Sequence, residues 1–383
     1  MKQALLFISG LVAVILSGVS CSKIDAARQE REIQPPDSAF LAFAFSEAKR
    51  YSYCPVVLEQ PNGGRYMYFC GNPAVEGPHP IDEIIIDNVY LYVERPDGSS
   101  VKEKSVLRPG ASGWDSHHCC DPSVIEGEFR MDGTTYKYAM FYTGSRTDRY
   151  YCELGVAFSN DLCADSWVKY PGPLVPKTWE GDDDLPWSGG LCWGVGQPSA
   201  VSLDKKGDVL LTYSVGDLSG TRVVWRRIDM SDMDNPELGT VSAMLVRGLK
   251  GLDGKLDYSC DVDIAINPDE NVAVIVRPVQ PLPTVYPAYI PTTQEVDYMK
   301  LDDFLSGRGS WTPIGRIGPE MTGFQRNHNA GLLRDNFGHI RDWKTPTVYF
   351  AVSDTSPQVF PVPDRMAEWT YDIYKVTLSG LAK

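Results

Sequence analysis

The chain has 383 residues, of which 43% are hydrophobic and 22% charged, an ordinary composition for a folded globular protein. Its 36 basic and 50 acidic residues give a net charge of −14, which argues against nucleic acid or an anionic membrane surface as a partner, because both need a basic surface. The length exceeds the usual size of a single core, but all-β barrels and propellers of this length occur as one domain.

The N-terminus is predicted to be a targeting segment that ends at Cys21. Lys2 precedes an apolar run, ALLFISGLVAVILSG, which is too short and too soon followed by polar sequence for a membrane-spanning helix. The run ends in GVSC, which resembles the lipobox of bacterial lipoproteins, although Gly18 stands where a leucine is usual. We expect residues 1–21 to be a lipoprotein signal, with a plain secretory signal as the alternative, and residues 22–37 to be a tether. Both signals predict export to the periplasm, outer membrane or cell surface, with membrane contact only through the N-terminal lipid anchor.

Eight cysteines remain when Cys21 is set aside, and disulfides are permitted outside the cytoplasm. Cys54 with Cys70, and Cys152 with Cys163, have spacings that a hairpin could close. We therefore expect disulfides, although the sequence alone leaves their full connectivity open.

The segment HHCCDPSV, at 117–124, places His117 and His118 before two cysteines and Asp121. It has three interpretations: a metal site, a redox or disulfide pair, and the floor of a carbohydrate pocket. The chain has no C-x-x-C pair, and cysteines of exported proteins usually pair with each other, which argues against zinc. We expect the histidines to lie on a pocket wall and the cysteines to form disulfides.

Five segments of the chain resemble one another. Each has a short apolar strand, then a turn rich in Asp, Asn or Gly, then a longer aromatic or β-branched strand, which is a hairpin pattern. They begin at Tyr53, Cys120, Gly196, Cys260 and His328. Equal repeats favour radial closure over a β-sandwich, so we predict an all-β fold, a five-bladed β-propeller over residues 38–383 with blades beginning near 53, 120, 196, 260 and 328.

Aligning the repeats puts one residue of each at a shared position. These residues are Cys54, Asp121, Gln197, Asp261 and His328, at intervals of 67, 76, 64 and 67 residues. The first strand of a propeller blade lines the central channel, so the five residues are expected to ring its mouth. Two carboxylates in such a pocket are the pair that cleavage of a glycosidic bond requires, and aromatic residues nearby suit sugar rings.

The run CDPSVI…YKYAMFYTG…LGVAFSNDL…WVKYPGPLV resembles the second blade of five-bladed propeller glycosidases of the glycoside hydrolase family 43 type, which has relatives in families 32, 62, 68 and 117. The architectural resemblance covers residues 40–380, and the detailed motif similarity is confined to 117–215. It implies a glycosidase acting on oligosaccharides or polysaccharides, with no cofactor required.

The resemblance also implies a base Asp on blade one, a modulating Asp on blade two and an acid Glu on blade three. Cys54 and Gln197 depart from that pattern, so a literal alignment leaves only Asp121, as the modulator. Shifting the alignment by one blade makes Asp121 the base and Asp261 the acid, and puts His328 where the family often has a channel histidine that binds a metal or water. We prefer the shifted alignment and expect an inverting mechanism.

Asp121 and Asp261 are thus the predicted catalytic residues. Predicted substrate-binding residues are His117, His118, Trp114, Trp193, Gln197, Asp263, Asn327, His328 and Arg326. Each also has a structural interpretation, since an Asp at a strand start often only accepts backbone amides. Asp263 competes with Asp261 for the acid role, because residues two apart on a strand point the same way.

The sequence predicts no required metal. The carboxylates of EGDDD, at 180–184, nevertheless offer the hard oxygen ligands that a structural calcium ion would use. The cluster lacks the spacing of a calcium loop, so a solvated charged run is the competing interpretation. Three functions remain open at this point. They are an exported glycoside hydrolase, a glycan-binding propeller that has lost its catalytic positions, and a scaffold for other surface proteins.

Overall fold

The computed structural model describes residues 37–46, 50–73, 86–146, 151–177, 192–258, 260–285, 290–353 and 371–382. The predicted signal segment, nearly all of the tether, and EGDDD lie outside the described residues. Residues Gln34–Lys383 belong to one compact unit. Among the helices that the structure describes, none has the length and apolarity needed to cross a membrane.

Strands dominate the described residues, and antiparallel pairing groups them into sets that follow one another along the chain. The first two sets are β2 (Ser52–Glu59), β3 (Arg65–Gly71), β4 (Asn88–Glu94) and β5 (Ser100–Leu107), then β6 (His118–Met131), β7 (Thr134–Ser145), β8 (Cys152–Ser159) and β9 (Val168–Lys169). The third is β10 (Gly194–Ser202), β11 (Asp208–Asp217), β12 (Gly220–Asp229), β13 (Glu237–Leu238) and β14 (Ser242–Ala243).

The fourth set is β15 (Asp263–Asn267), β16 (Val272–Pro278), β17 (Gln294–Lys300) and β18 (Thr312–Ile317). The last is β19 (Arg326–Arg334), β20 (Thr347–Ser353), β21 (Asp372–Thr377) and, from the other end of the chain, β1 (Phe40–Phe43). Short helices α1 (Leu301–Leu305) and α2 (Pro319–Thr322) and a 3-10 turn (Gly380–Ala382) complete the described elements.

The first strands of the sets contact one another in a closed cycle: β2 with β6, β6 with β10, β10 with β15, β15 with β19, and β19 with β2. The closing contact is a short parallel pairing of Leu333 with Val57 and of Arg334 with Leu58. A Cβ on Gly331 would lie 2.0 Å from the carbonyl oxygen of Pro55, so this close approach of β19 to β2 requires glycine. The sets are therefore arranged radially around the first strands.

The hydrophobic core is divided in the same cyclic way. One buried cluster lies between the first and second sets, and others lie between the second and third, third and fourth, and fourth and fifth. A further cluster, which includes Phe43, Val57 and Tyr349, joins the last set to the first. Both faces of a set are thus apolar, which explains nearly continuous apolar strands such as VAVIVRP in β16.

Candidate active site

The first strands share a backbone feature at the end where they enter the ring. Five residues there have left-handed φ between 46° and 53°: Cys54, Asp121, Gln197, Asp261 and Asn329. In β2, β6, β10 and β19 the antiparallel pairing skips two residues at this point, which is a bulge. Such φ values are uncommon for non-glycine residues and cluster at functional sites. We call these five residues the mouth ring.

The fifth member of the mouth ring corrects one expectation. His328 was predicted at the shared position, but the residue with the bulged, left-handed backbone is Asn329, the next along the chain. Asparagine tolerates this conformation better than most residues do, because its short polar side chain bonds locally. His328 lies one position earlier on β19, still at the site.

A cavity of about 300 Å³ opens on the mouth ring. Its described lining combines ring residues, aromatic side chains and apolar side chains of the loop after β16. The lining residues are Tyr51, Tyr53, Asp87, Gln197, Cys260, Asp261, Pro278, Leu282, Ile290, Pro291, His328, Asn329 and Tyr371. Concave sites with apolar walls and a few convergent polar groups are typical of small-molecule pockets.

Asp261 is buried at this cavity and is held by Asn329, whose Nδ2 donates to Asp261 Oδ2 at 2.7 Å. Burial and, to a smaller extent, the negative charges of Asp121 and Asp263 raise the pKa of Asp261 to about 8, against the opposing effect of the Asn329 hydrogen bond. The carboxyl group is therefore largely protonated at neutral pH. A backbone bond from Asp261 N to Ser214 Oγ, 2.9 Å long, fixes its position against β11.

His328 extends the same network. Its Nδ1 lies 2.5 Å from Asn329 Oδ1, and its ring packs edge-on against Tyr371 with centroids 4.6 Å apart. Burial lowers the pKa of His328 to about 4, so the imidazole is neutral at physiological pH. Its Nε2 has no hydrogen-bond partner among the described residues, and the residue lines the cavity.

Asp121 is also buried, and three thiols surround its carboxylate. Cys54 Sγ donates to Asp121 Oδ1 at 2.9 Å, Cys120 Sγ lies 3.8 Å from Oδ2, and Cys70 Sγ lies 4.0 Å from Oδ1. Burial raises the pKa of Asp121, and the Cys54 hydrogen bond opposes this by stabilising the charged form. Asp121 N donates to Cys70 Sγ at 2.7 Å, so the thiols also position the backbone of the ring.

The predicted disulfides are absent from the described structure, in which Cys54, Cys70, Cys152 and Cys163 are free thiols, as are the other four cysteines described. Cys54 and Cys70 lie close together but turn their sulfur atoms toward Asp121 rather than into a bond. Cys152 lies at the start of β8, whereas Cys163 lies in the turn beyond its far end. Strand β8 separates these two thiols, so the hairpin spacing does not bring them together.

Asp87, just before β4, is the second carboxylate that lines the cavity, beside Asp261. It accepts hydrogen bonds from the hydroxyls of Tyr51 at 2.5 Å and Tyr53 at 2.9 Å, and its Oδ2 lies 3.2 Å from His118 Nδ1. Burial alone would raise the pKa of Asp87, but the His118 contact and the two tyrosines outweigh it and leave the pKa lowered. Asp87 is therefore a fixed negative charge on the cavity wall.

Asp263 does not face the cavity of Asp261 but forms the floor beneath the ring. It accepts Ser199 Oγ at 2.6 Å and Leu332 N at 2.8 Å, and lies 3.2 Å from the buried guanidinium of Arg334. That guanidinium also donates to Ser123 Oγ at 3.0 Å, so it joins four of the first strands. Ring residues and Asp263 line a separate small space of about 30 Å³, which has room for about one water molecule. The competing acid role predicted for Asp263 is therefore not supported by its position.

The two tryptophans predicted to bind sugar do not line the cavity. Trp114 stacks on Tyr142 with centroids 5.5 Å apart, and its ring occupies the space that side chains at Gly144 and Gly155 would fill. Trp193 lies in the same way over Gly216, and its Nε1 donates to Thr221 Oγ1 at 3.1 Å. Both indole rings therefore pack against glycines of the neighbouring strands. Trp187 lies outside the described residues.

The remaining predicted binding residues are not among the side chains that line the cavity. Asn327 is fully buried and its Nδ2 donates to the carbonyls of Thr292 and Phe324, so it is a structural residue. Arg326 Nη2 donates to the carbonyl of Val285. His117 packs edge-on against His118, which reaches the cavity through Asp87.

Only one group of three His, Cys, Asp or Glu side chains among the described residues has metal-site geometry, and it is Cys54, Cys70 and Asp121. His328, proposed from the sequence as a metal ligand, is not a member of it. EGDDD, the calcium candidate, lies outside the described residues.

A larger cleft, about 900 Å³, lies at the opposite ends of the first strands. Its residues include Glu126, whose carboxylate bonds to Asn336 Nδ2 at 3.0 Å and lies 3.4 Å from Lys137 Nζ. Perturbed, buried carboxylates mark functional sites better than volume does, so we place the active site at the smaller cavity.

Asp87, Tyr51, Asn329 and Tyr371 were not identified from the sequence. Asn329 had a usable signal, since it is the residue of HNAG that best tolerates a left-handed backbone. The other three lie outside the repeated positions, and no spacing pattern in the sequence connects them.

No family model matches the chain. No curated protein matches it either. Solved structures do, at low identity and over nearly the whole chain. A family 117 glycoside hydrolase from the marine bacterium Zobellia galactanivorans matches with a TM-score of 0.57 and 10% identity, covering 91% of this chain and 93% of that one.

Two further solved structures are arabinofuranosidases. The catalytic domain of a family 62 α-L-arabinofuranosidase from Coprinopsis cinerea has a TM-score of 0.52 and 9% identity, over 90% of this chain and 95% of that one. An α-L-arabinofuranosidase from Lactobacillus brevis has a TM-score of 0.50 and 11% identity, over 86% and 90%. These likenesses establish the fold: the chain has the β-propeller architecture of these glycoside hydrolases, as the resemblance in its sequence implied.

Proposed function

We propose that the protein is an exported glycoside hydrolase with a five-bladed propeller, in which Asp261 is the general acid and Asp121 the general base. The observation that carries this proposal is the placement of both carboxylates in the mouth ring, Asp121 on the first strand of the second set and Asp261 two residues before that of the fourth. The ring position between them belongs to Gln197, a neutral residue.

The acid role of Asp261 follows from its environment. A general acid must hold its proton at the working pH and release it to the leaving oxygen. With a pKa of about 8, Asp261 carries a proton at pH 7, whereas an ordinary aspartate does not. Asn329 holds one oxygen at 2.7 Å, which orients the carboxyl group at the cavity.

The base role of Asp121 is supported by its position across the ring. No hydrogen bond joins Asp121 to Asp261 in the described structure, yet the negative charge of Asp121 raises the pKa of Asp261. An inverting enzyme needs about 6.5–9.5 Å between its two carboxyl groups to leave room for the attacking water. Separation by one ring position favours that arrangement over the closer pair of a retaining enzyme.

The cavity favours a neutral, terminal sugar as substrate. Among its described lining residues there is no lysine or arginine, and Asp87 is negatively charged, so a uronic acid would be repelled. Tyr53 and Tyr371 offer aromatic faces to a sugar ring. A volume of about 300 Å³ is at the small end of the usual range for ligand pockets, which fits one sugar unit.

A second candidate is a glycan-binding propeller without hydrolase activity. Cys54 and Gln197 favour it, because these residues stand where the family resemblance implies a base and an acid. The cavity, Asp87 and the free His328 Nε2 would serve binding equally well.

The test is hydrolysis of a panel of arabinoside, xyloside, galactoside and anhydrogalactose oligosaccharides by wild type, Asp121→Asn and Asp261→Asn. The matched control is Asp269→Asn, an exposed aspartate in the β15–β16 turn at the far end of the strand. We expect wild type and the control to cleave one substrate, and both ring variants to lose at least about 100-fold in kcat. No cleavage together with a sugar-dependent rise in Tm would instead establish the binding function.

A further inference from the structure

Three cysteines from three strands of the first two sets meet beside Asp121. Cys54 lies on β2, Cys70 on β3 and Cys120 on β6. The sulfur atoms of Cys54 and Cys70 and a carboxylate oxygen of Asp121 lie within 4.8 Å of one another. Cys120 Sγ lies 3.8 Å from Asp121 Oδ2, so a third sulfur borders the same carboxylate. We propose that Cys54, Cys70, Cys120 and Asp121 form a binding site for a thiophilic divalent metal ion, with zinc as the best match.

The ligand set fits zinc in number and in kind. Structural zinc sites are tetrahedral and use cysteine, histidine and carboxylate ligands at about 2.0–2.3 Å. Ligand atoms of such a tetrahedron lie roughly 3.3–3.8 Å apart. Cys54 Sγ and Cys70 Sγ lie 2.9 Å and 4.0 Å from Asp121 Oδ1, near these separations. Cys120 Sγ lies 3.8 Å from the other oxygen, Oδ2, so it must turn toward Oδ1 to complete the site.

A backbone hydrogen bond to one of the proposed sulfur ligands is already in place. Asp121 N donates to Cys70 Sγ at 2.7 Å, and hydrogen bonds of this kind stabilise and orient a metal-bound thiolate. Calcium and magnesium prefer oxygen ligands, so three sulfurs exclude them as occupants. Binding forms three sulfur–metal bonds and one oxygen–metal bond, and three thiol protons pass to solvent.

The proposal goes beyond the proposed function, because it holds whether or not the protein cleaves sugars. A bound ion would fasten β2 and β3 to β6 at the mouth ring. It would engage Asp121 through Oδ1, the oxygen that faces Cys54 and Cys70, and leave Oδ2 outside the metal's coordination.

The test uses the full chain, reduced and stripped of metal with a chelator, and titrated with Co²⁺ alone. We expect one Co²⁺ per chain with the near-ultraviolet sulfur-to-cobalt absorption of a tetrahedral thiolate site, displaced by added Zn²⁺. Cys54→Ser and Cys70→Ser should each weaken binding at least about 10-fold. Cys163→Ser, in the turn before β9, is the matched control and should bind normally.

Circular dichroism of each variant separates a lost site from a lost fold, and the wild-type titration stands without any variant. The proposal is overturned if wild type takes up no Co²⁺, or if the sulfur-to-cobalt absorption survives in both Cys54→Ser and Cys70→Ser. It is also overturned if denatured, unreduced protein has two fewer reactive thiols than reduced protein and Cys54→Ser abolishes that difference, since the cluster would then be a disulfide.

Discussion

At the scale of single residues, the hydrogen bonds around Asp261 determine the state of His328. Asn329 Nδ2 is the donor to Asp261, so Asn329 Oδ1 must face His328 and accept from Nδ1. A neutral imidazole that carries its proton on Nδ1 presents a lone pair on Nε2. Nε2 is buried without a partner among the described residues, and His328 lines the cavity, so we expect it to accept a hydroxyl of a bound sugar.

His328→Phe should therefore weaken sugar binding while leaving the fold intact. Phenylalanine keeps a planar ring against Tyr371 but lacks the acceptor, and one hydrogen bond contributes about 1 kcal/mol. We expect KM, or the Kd of the binding sugar, to rise about 5-fold to 10-fold. His117→Phe, whose ring does not line the cavity, is the control and should leave KM unchanged. Equal effects of the two substitutions would contradict this role for His328.

Asp261→Asn should stabilise the protein increasingly as pH rises. The folded-state pKa of Asp261 is about 8 and an unfolded aspartate titrates near 3.9, so between these values the folded state binds more protons and loses stability with rising pH. Each pKa unit corresponds to about 1.4 kcal/mol, so the loss of stability reaches roughly 5 to 6 kcal/mol over the whole interval between the two pKa values. Asparagine removes this loss and still accepts the Asn329 bond.

The measurement is the urea midpoint of wild type, Asp261→Asn and the control Asp269→Asn at pH 5 and pH 8. Asp261→Asn should raise the urea midpoint above that of wild type by more at pH 8 than at pH 5. The control Asp269→Asn should show no such dependence on pH. A gain that is independent of pH would mean that Asp261 has an ordinary pKa.

At the scale of elements, neighbouring sets hold the ring residues at the start of the first strands, and three of these residues, Gln197, Asp261 and Asn329, line the cavity. Backbone amides of three ring residues donate to side chains on the second strand of the preceding set: Asp121 to Cys70, Gln197 to Thr143, and Asp261 to Ser214. These bonds fix the left-handed residues from the neighbouring set. The position of each of these three ring residues therefore depends on the preceding set as well as on its own.

This explains how far the sequence alone could predict the site. Proline follows Cys54, Asp121 and Gln197, and a hairpin follows each first strand, so local patterns located these ring positions. In HNAG no proline marks the bulge, and the prediction missed Asn329 by one residue. Asp87 and Tyr371 join the cavity only through the folding of distant segments, so no local pattern could place them there.

A glycine comparison tests the strain at the ring. Left-handed φ costs a non-glycine residue roughly 1–2 kcal/mol, which glycine avoids. We expect Gln197→Gly to be more stable than Gln197→Ala by about 1 kcal/mol. At Ala200, three residues on in the same strand, the order should reverse, because glycine there only adds unfolded-state entropy and removes a buried methyl. Thermal unfolding of the variants gives both signs, and the same sign at both positions would rule out strain at Gln197.

At the scale of the whole molecule, the ring closes with strands from both ends of the chain. β1 pairs with β21, so the last set takes its outermost strand from the N-terminal end of the fold. The cluster that joins the last set to the first contains Phe43, from β1, with Val57, Met67 and Phe69. Equal repeats in the sequence indicated radial closure, but the outlying β1 belongs to no repeat and its partner is more than 300 residues away.

Closure through β1 predicts that two neighbouring residues of this strand differ greatly in importance. Phe43 is 6% exposed and contacts the rings of Phe69 and Tyr92, whereas Leu41 is 54% exposed. Phe43→Ala should lower the free energy of unfolding by about 3–5 kcal/mol, and Leu41→Ala by less than about 0.5 kcal/mol. Urea unfolding at pH 7 measures both. If the two variants lost equal stability, β1 would not stabilise the junction between the last set and the first. The junction would then depend on the pairing of β19 with β2 alone.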